Sequence, residues 1–337
     1  MVKEEQTSNR EKRGADPEKA TIFDVAEKAG VSFVSVSRVF NEHPNVSLKM
    51  REKVLSAARA VGYQPRLVCR PSLIAVLTSN QNHDQHGCDQ RQLCSKIFSA
   101  AARRNYLMEV ITMDQLDLLT QHLIDGVIEV GVGHQALYTL KEIPKIPLVT
   151  TQNRTFQPSW SSITIDYDAE GRMAIEPLLE AGHRKIAVVV DRLYHWPSQQ
   201  RVEGMRSLLK ERHISEEAVD LFDLCKIPLW EVGQRVAKNG FTALVNFASD
   251  EVHALVDILF NELKLGIPKK LSLVTLDNTE LCSHYHPRIS FVRQPLDALA
   301  DQAVAELQKL ILKQTKNRNL FVQSTYHARN TVRPPPK

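Results

Sequence analysis

The feature that most constrains this fold is an alternation of apolar and amphipathic stretches that begins after Pro71. The apolar runs that fit buried strands are Leu73–Leu77, Leu107–Thr112, Gly126–Val130, Pro147–Thr151, Lys185–Val190, Ala243–Phe247, Leu271–Leu276 and Ile289–Arg293. The stretches with helical periodicity are Asp89–Asn105, Asp168–Ala181, Pro197–Glu211, Leu229–Asn239, Asp250–Leu265 and Pro295–Gln314. Strands that alternate with helices predict parallel sheets covered on both faces. The number of strands predicts two doubly wound subdomains with a cleft between them.

The residues before Pro71 predict a separate, all-helical unit. Thr21–Ala29 carries apolar residues at helical spacing, and Gly30 can adopt the left-handed conformation of a tight turn. Ser32 can cap a second helix, Phe33–Asn41. This is a helix-turn-helix, a motif whose second helix enters the major groove of DNA. A third helix is predicted over Leu48–Val61, and its basic residues suit the DNA backbone: Lys49, Arg51, Lys53 and Arg59.

Charge is distributed unevenly along the chain. The 337 residues carry 43 basic and 39 acidic side chains, a net charge of +4. Residues 1–70 hold 13 of the basic and 9 of the acidic ones, so the remaining residues are balanced. Such an excess is expected of a surface that contacts phosphates, although a solvated helical face would also show it.

The helix-turn-helix segment resembles the DNA-binding headpiece of the lac repressor (LacI/GalR) family, nearly residue by residue from Thr21 to Pro65. A looser resemblance continues through segments that contain Asp125-Gly126, Gly182-His183, Arg201, Asp277 and Gln294-Pro295. It implies an α/β fold: an N-terminal all-α headpiece plus a periplasmic-binding-protein-like core of two doubly wound parallel-sheet subdomains. Residues 1–19 have mixed charge and almost no apolar side chains, so a disordered extension is expected there. The headpiece (20–65), a shortened hinge linker (66–72) and an effector-binding and dimerisation core (73–337) are expected to follow.

The resemblance assigns DNA contacts to the second helix and its surroundings. Phe33, Val34 and Arg38 lie where family members read base edges: the two apolar residues suit thymine methyl groups, and Arg38 suits guanine. The residues expected to position the DNA backbone are Ser32, Ser37, Asn41, Asn45, Ser47 and Tyr63. The alternative for Val34 is that it packs inside the headpiece.

The resemblance also implies an effector site in the cleft, at the carboxyl ends of the strands. Arg201 and Asp277 match the residues that hold a small polar ligand in family members, such as a sugar or sugar derivative. Ser249 stands where an Asn is usual, His195 precedes the Arg201 helix, and Trp196 could stack on a sugar face. The alternative is an Arg201–Asp277 pair that braces the cleft of a protein without a ligand.

The linker departs from the family pattern. Members usually have a longer linker with a hinge helix, from which a Leu enters the minor groove and kinks the DNA. Here Pro65 is followed by only seven residues before Leu73, and Pro71 disfavours a helix at Arg70. Leu67 is the one candidate wedge. We therefore expect the bound DNA to stay comparatively straight.

The partners expected are a roughly palindromic double-stranded DNA operator, a small carbohydrate effector and a second copy of the chain. The alternative is a sugar-binding module without specific DNA recognition. The five cysteines form an odd set without a C-x-x-C pair, and the N-terminal residues are polar, which together favour a cytoplasmic protein. The longest apolar runs, such as Ile186–Val190, are too short to span a membrane.

An enzyme is not expected, and neither a cofactor nor a catalytic residue is assigned. A nicotinamide-dependent oxidoreductase needs G-x-G-x-x-G after its first strand, but Thr78–His83 lacks this pattern, and Gly131–Gly133 is an isolated G-x-G. Two histidine groups, His83 and His86 with Cys88, and His284 with His286, could ligate zinc. Loop histidines are usually solvated, so no metal site is predicted.

Overall fold

The computed structural model describes residues 20–40, 45–63, 72–79, 88–133, 136, 146–153, 160–277, 281–314, 316 and 318–336. The described part consists of a small helical headpiece and a core of two α/β subdomains, which confirms the predicted fold class. The predicted disordered extension, most of the linker with Leu67, and residues such as Asn41, His83 and His86 lie outside the described residues.

Three helices form the headpiece: α1 (Ile22–Ala29), α2 (Phe33–Phe40) and α3 (Leu48–Val61). Thr21 and Asp24 form a capping box at the start of α1. Gly30 ends α1 with φ at 57°, the left-handed conformation that the turn requires. The three helices bury one apolar cluster, whose members include Val25, Val36, Val39, Phe40, Val54 and Leu55.

The first subdomain contains a six-stranded, entirely parallel sheet in the order β11-β5-β4-β3-β1-β2. Its strands are β1 (Ser72–Thr78), β2 (Tyr106–Thr112), β3 (Gly126–Val130), β4 (Leu148–Thr150), β5 (Trp160–Ile165) and β11 (Asn319–Val322). The helices of this subdomain are α4 (Cys88–Ala102), the short α5 (Leu118–Gln121) and α10 (Leu296–Ile311).

The second subdomain holds a six-stranded sheet in the order β12-β10-β9-β8-β6-β7. Its strands are β6 (Ile186–Val190), β7 (Val219–Asp223), β8 (Ala243–Asn246), β9 (Ser272–Leu276), β10 (Ser290–Arg293) and β12 (Thr325–His327). Its helices are α6 (Tyr167–Glu180), α7 (Trp196–Glu211), α8 (Leu229–Lys238) and α9 (Val252–Asp257). All neighbouring strands are parallel except β12, which runs antiparallel to β10.

The elements depart from the sequence predictions in a few places. Four strands were not predicted: β5, β7, β11 and β12. The single helix predicted over Asp250–Leu265 is wrong, because α9 ends at Asp257 and a π-helical turn, Ile258–Glu262, follows it. β1 begins at Ser72, one residue before the predicted strand.

The chain passes between the two subdomains three times. The crossings join β5 to α6, β10 to α10 and β11 to β12. Each crossing is only one or two residues long, so the three segments lie at the hinge of the core. The carboxyl ends of the parallel strands in both sheets line the cleft between the subdomains, and the crossings lie at the edge of that cleft.

Candidate functional site

The recognition helix α2 presents its predicted base-reading residues to solvent. Phe33 is 43% exposed, Val34 is 54% exposed, and Arg38 is exposed as well. The alternative in which Val34 packs inside the headpiece is wrong. The opposite side of α2 holds the buried residues Val36 and Val39, which fix the helix against the headpiece core.

The predicted backbone-positioning residues surround this face in different roles. Ser32 and Ser47 each accept a hydrogen bond from a main-chain N–H of the helix that follows, at 3.2 Å from Ser35 N and 3.3 Å from Met50 N. The Ser32 hydroxyl also shares a hydrogen bond of 2.9 Å with the Ser35 hydroxyl, in which either oxygen can be the donor. Asn45 is exposed, Ser37 is half-buried, and Tyr63 packs against Phe40 with ring centroids 5.6 Å apart.

One residue of the recognition face was missed by the sequence analysis. Phe23 on α1 is 66% exposed, and its ring stacks on Phe33 with centroids 5.1 Å apart and planes 18° from parallel. The signal in the sequence was an aromatic residue in the first turn of α1, outside the apolar face of that helix. The stack fixes Phe33 at the start of α2, so part of the base-reading surface is already ordered.

In the core, Arg201 lies in the second turn of α7 and is 6% exposed. Its Nε donates to Glu170 Oε2 at 2.9 Å, and its guanidinium carbon lies 4.9 Å from the centre of the Tyr167 ring. Burial by itself lowers the pKa of Arg201, but the charge of Glu170 raises it above the usual value. The ionic partner of Arg201 is therefore Glu170, and the predicted Arg201–Asp277 brace is not the pair that forms.

Glu170 holds the three crossings together. Its side chain is fully buried, and Oε2 also accepts from Gln294 Nε2 at 3.2 Å, while Oε1 accepts from Ser324 Oγ at 2.6 Å. Glu170 follows the first crossing, Gln294 belongs to the second and Ser324 to the third. We call Glu170, Arg201, Gln294 and Ser324 the hinge cluster.

The close approach of α6 and α7 makes the hinge cluster possible. A Cβ at Gly171 would overlap the carbonyl oxygen of Arg201, and a Cβ at Gly204 would overlap that of Asp168. Two glycines on facing helices thus let the backbones touch. This contact brings Arg201 beside Glu170, which precedes it by 31 residues.

The other predicted effector residues lie at the same end of the core but in separate environments. Asp277, 2% exposed, accepts from Cys282 N at 2.9 Å. Ser249 starts a short 3-10 turn after β8 and is half-buried. His195 occupies the N-cap position of α7 without a capping hydrogen bond from its side chain, and Trp196 packs edge-on against Tyr167 with ring centroids 5.5 Å apart.

A second buried carboxylate, Glu129 at the carboxyl end of β3, was missed by the sequence analysis. It is fully buried and accepts from Val132 N at 2.7 Å, Asn153 Nδ2 at 3.3 Å and Thr151 N at 3.4 Å. Burial raises the pKa of Glu129 to about 7, and the hydrogen bonds oppose that rise. The signal in the sequence was a single acid within an apolar strand.

Within the described ranges, no group of three or more His, Cys, Asp or Glu residues could hold a metal ion. His83 and His86 lie outside those ranges. In the same part of the chain, no helix is long and apolar enough to cross a bilayer.

A headpiece with an uncovered recognition helix, attached to a two-subdomain core with a polar cleft, defines a DNA-binding transcriptional regulator. Residues 21–66 match the family model of bacterial regulatory proteins, lacI family, and residues 175–332 match a periplasmic binding protein-like domain. The protein thus combines a DNA-binding domain of the lacI family with a periplasmic binding protein-like domain.

Individual relatives agree with this assignment over almost the whole chain. The sucrose operon repressor of Pediococcus pentosaceus is 26% identical over 91% of this chain and 96% of its own length. Catabolite control protein A of Priestia megaterium is 27% identical over 88% of this chain and 93% of its own. A structure of the lac repressor bound to ONPG in the repressed state has 25% identity and a TM-score of 0.67, covering 93% of this chain and all of that one.

Proposed function

We propose that this regulator represses transcription by binding a roughly palindromic operator as a homodimer, and that a sugar or sugar derivative in the core cleft modulates that binding. One combination of features carries the proposal. Phe33, Val34 and Arg38 are exposed on α2, and the side chains of the hinge cluster are buried and polar. Relatives named as a sucrose operon repressor and a lac repressor bound to ONPG support a carbohydrate effector. The proposed setting is the cytoplasm, and the protein is not proposed to be an enzyme.

The dimer is supported by exposed apolar side chains on α4 and on the edge strand β2 of the first subdomain. Phe98 on α4 is 57% exposed, and Leu107 and Val110 on β2 are 56% and 47% exposed. We call these three residues the α4–β2 surface. Exposed apolar side chains on neighbouring elements can mark an interaction site. Light scattering at micromolar concentration should give the mass of two chains, and a monomer that binds the operator equally well would refute the dimer.

The effector is proposed to bind where the carboxyl ends of the two sheets face each other. Asp277 and the outer nitrogens of Arg201 are the charged groups offered to a ligand, because Arg201 Nε is already used by Glu170. Ser249, His195 and Trp196 are the proposed neighbours. A polyol fits such a site, since charged acceptors and donors select hydroxyl geometry.

A thermal-shift screen against sugars and sugar phosphates tests the effector site. A ligand that raises the melting temperature should do so less in Asp277→Asn and Arg201→Lys, which keep the size of each side chain close to the original. Arg201→Ala is unsuitable alone because it leaves Glu170 buried without its cation. A shift that persists undiminished in both variants would show that the ligand binds elsewhere.

The same ligand should then change operator binding. The operator is obtained by selection of random duplexes with the wild-type protein, and binding is measured with and without the ligand across a salt series. A steep salt dependence without any site preference would favour the sugar-binding module that lacks specific DNA recognition.

A further inference from the structure

The headpiece and the core are joined by a contact at the end of α3. Arg59 Nη2 donates to the carbonyl oxygen of Leu119 at 2.6 Å and to that of His122 at 3.4 Å. The Leu119 carbonyl lies in the last turn of α5, where main-chain carbonyls have no partner further along the helix, and the His122 carbonyl also accepts from Ile124 N at 3.0 Å. The guanidinium thus satisfies carbonyls of the core from a helix of the headpiece.

An apolar contact accompanies this polar one. Leu123, which follows α5, packs against the headpiece cluster that contains Val54, Leu55 and Ala58. Burial lowers the pKa of Arg59, because the guanidinium has given up water on entering the contact. A desolvated Arg that keeps two carbonyl acceptors is a built contact between domains, and it is not free to bind a phosphate.

The core side of the contact is connected to the α4–β2 surface. His122, whose carbonyl accepts from Arg59, is hydrogen-bonded through Nδ1 to Glu109 Oε2 at 2.9 Å. Glu109 lies on the edge strand β2, between Leu107 and Val110. Glu109 on β2 thus contacts the His122 side chain, and the carbonyl of His122 contacts Arg59 on α3. These two contacts connect the strand of the proposed dimer surface to the headpiece.

The docked headpiece keeps its recognition face uncovered. Phe33 and Val34 remain 43% and 54% exposed in the arrangement that buries Arg59. We propose that Arg59 is a positioning residue for DNA binding: it docks the headpiece on α5 and so fixes the distance of the recognition helix from the dimer axis. This rests on the dimer and the paired half-sites proposed above.

The docking determines which spacing between operator half-sites the protein prefers. In dimeric helix-turn-helix regulators, the separation of the two recognition helices sets the half-site spacing. A linker of seven residues would let a free headpiece range over about 20 Å, at ~3.3 Å per residue. A headpiece docked through Arg59 occupies one position, which makes the protein selective for one spacing.

A series of operators with altered half-site spacing tests this assignment. The duplexes carry the half-site selected by the wild-type protein, with base pairs inserted or removed at the centre. Arg59→Ala should bind the preferred spacing about tenfold more weakly, the equivalent of about 1.4 kcal/mol, and should lose most of the difference between spacings. The slope of affinity against salt should stay unchanged. The opposite result in Arg59→Ala would overturn the proposal: the spacing preference stays intact, and the slope of log affinity against log salt becomes shallower by about 0.9 for each of the two Arg59 side chains of the dimer. That result would show that Arg59 contacts a phosphate.

Three further variants separate docking from loss of charge or fold. Lys53→Ala removes one exposed positive charge from the same helix and should keep the spacing preference. Arg59→Lys retains a donor and should restore part of it. Leu123→Ser alters the contact from the core side and should lose the spacing preference as Arg59→Ala does. In the double variant, the loss of affinity and of spacing preference should be no larger than in either single variant.

Hydrogen exchange gives an answer that needs no DNA. Amides of residues 118–124 should exchange faster in Arg59→Ala than in the wild type, while the amides of α1 should be unaffected. If exchange at α5 is unchanged, the docking proposal is wrong whatever the DNA results are. If exchange rises but no duplex is selected by the wild type, the proposed operator function fails and the docking stands.

Discussion

The recognition face, formed by Phe33, Val34 and Arg38 on α2, differs from the hinge cluster in solvent exposure. Both regions carry residues assigned to ligand binding. On α2 the side chains of Val34 and Arg38 are exposed. In the hinge cluster, Arg201 and Glu170 are buried and already bound to each other. A change on the first surface should therefore alter binding without affecting folding, whereas a change in the second should alter folding first. A residue matched to a binding motif thus has to be tested differently in the two regions.

The largest expected effect is loss of the buried carboxylate in the hinge cluster. Glu170→Ala should lower the free energy of unfolding by about 3–5 kcal/mol, because Arg201 is left buried without its ionic partner. Urea denaturation measures this. The matched control is Asp301→Ala, which removes an exposed carboxylate bonded to Arg103 and should cost no more than about 1 kcal/mol. Equal losses in the two variants would contradict the contrast between buried and exposed regions.

Glu129 should make stability depend on pH in the core but not in the headpiece. Its pKa is about 7 in the folded protein, above that of the unfolded chain, so the stability that it contributes is present at low pH. That stability is lost as the pH rises from about 4.5 through 7, by roughly 3 kcal/mol. Unfolding followed at several pH values should show the trend, and Glu129→Gln should flatten it. An unchanged pH profile in the variant would assign the trend to another group.

The smallest expected effect on folding comes from the recognition helix. Arg38→Ala should leave the unfolding free energy within about 0.5 kcal/mol of the wild type, since the side chain is exposed. Its affinity for the selected operator should fall by about 1–3 kcal/mol, and affinity for random duplex should fall much less. An equal loss of affinity for the selected operator and for random duplex would show that Arg38 contacts the DNA backbone and does not read a base.

The sequence was sufficient where the signal was local. Gly30 and the capping residues of the headpiece are short-range features, and α1, α2 and α3 lie within a residue of the predicted ranges. Most buried strands were equally readable from their apolar runs, but the buried strand β5 was missed because Ser161, Ser162 and Thr164 interrupt its apolar pattern. The edge strands β7 and β11 were missed as well, because they are only partly buried and their hydrophobic pattern is weak.

The contacts that organise the core could not be predicted, because they depend on tertiary packing. Glu170 meets Gln294 and Ser324 only after three crossings have folded together. Arg59 was expected on DNA as part of a basic helix, and its burial depends on the position of α5, which the sequence analysis did not predict. The DNA-backbone role predicted for Arg59 is therefore corrected to a contact with the core.

The crossing of Gly171 and Gly204 has a mechanical consequence. Because the two backbones are in direct contact, with no side chain between them that could deform, we expect α6 and α7 to turn together about Glu170. α6 has 14 residues and is about 21 Å long. About 15 Å of the helix lies beyond Glu170, so a turn of about 5° at the pivot moves the far end by roughly 1 Å, within the range of helix shifts that repack an interface. A small tilt imposed at Arg201 is thereby magnified with distance from the hinge.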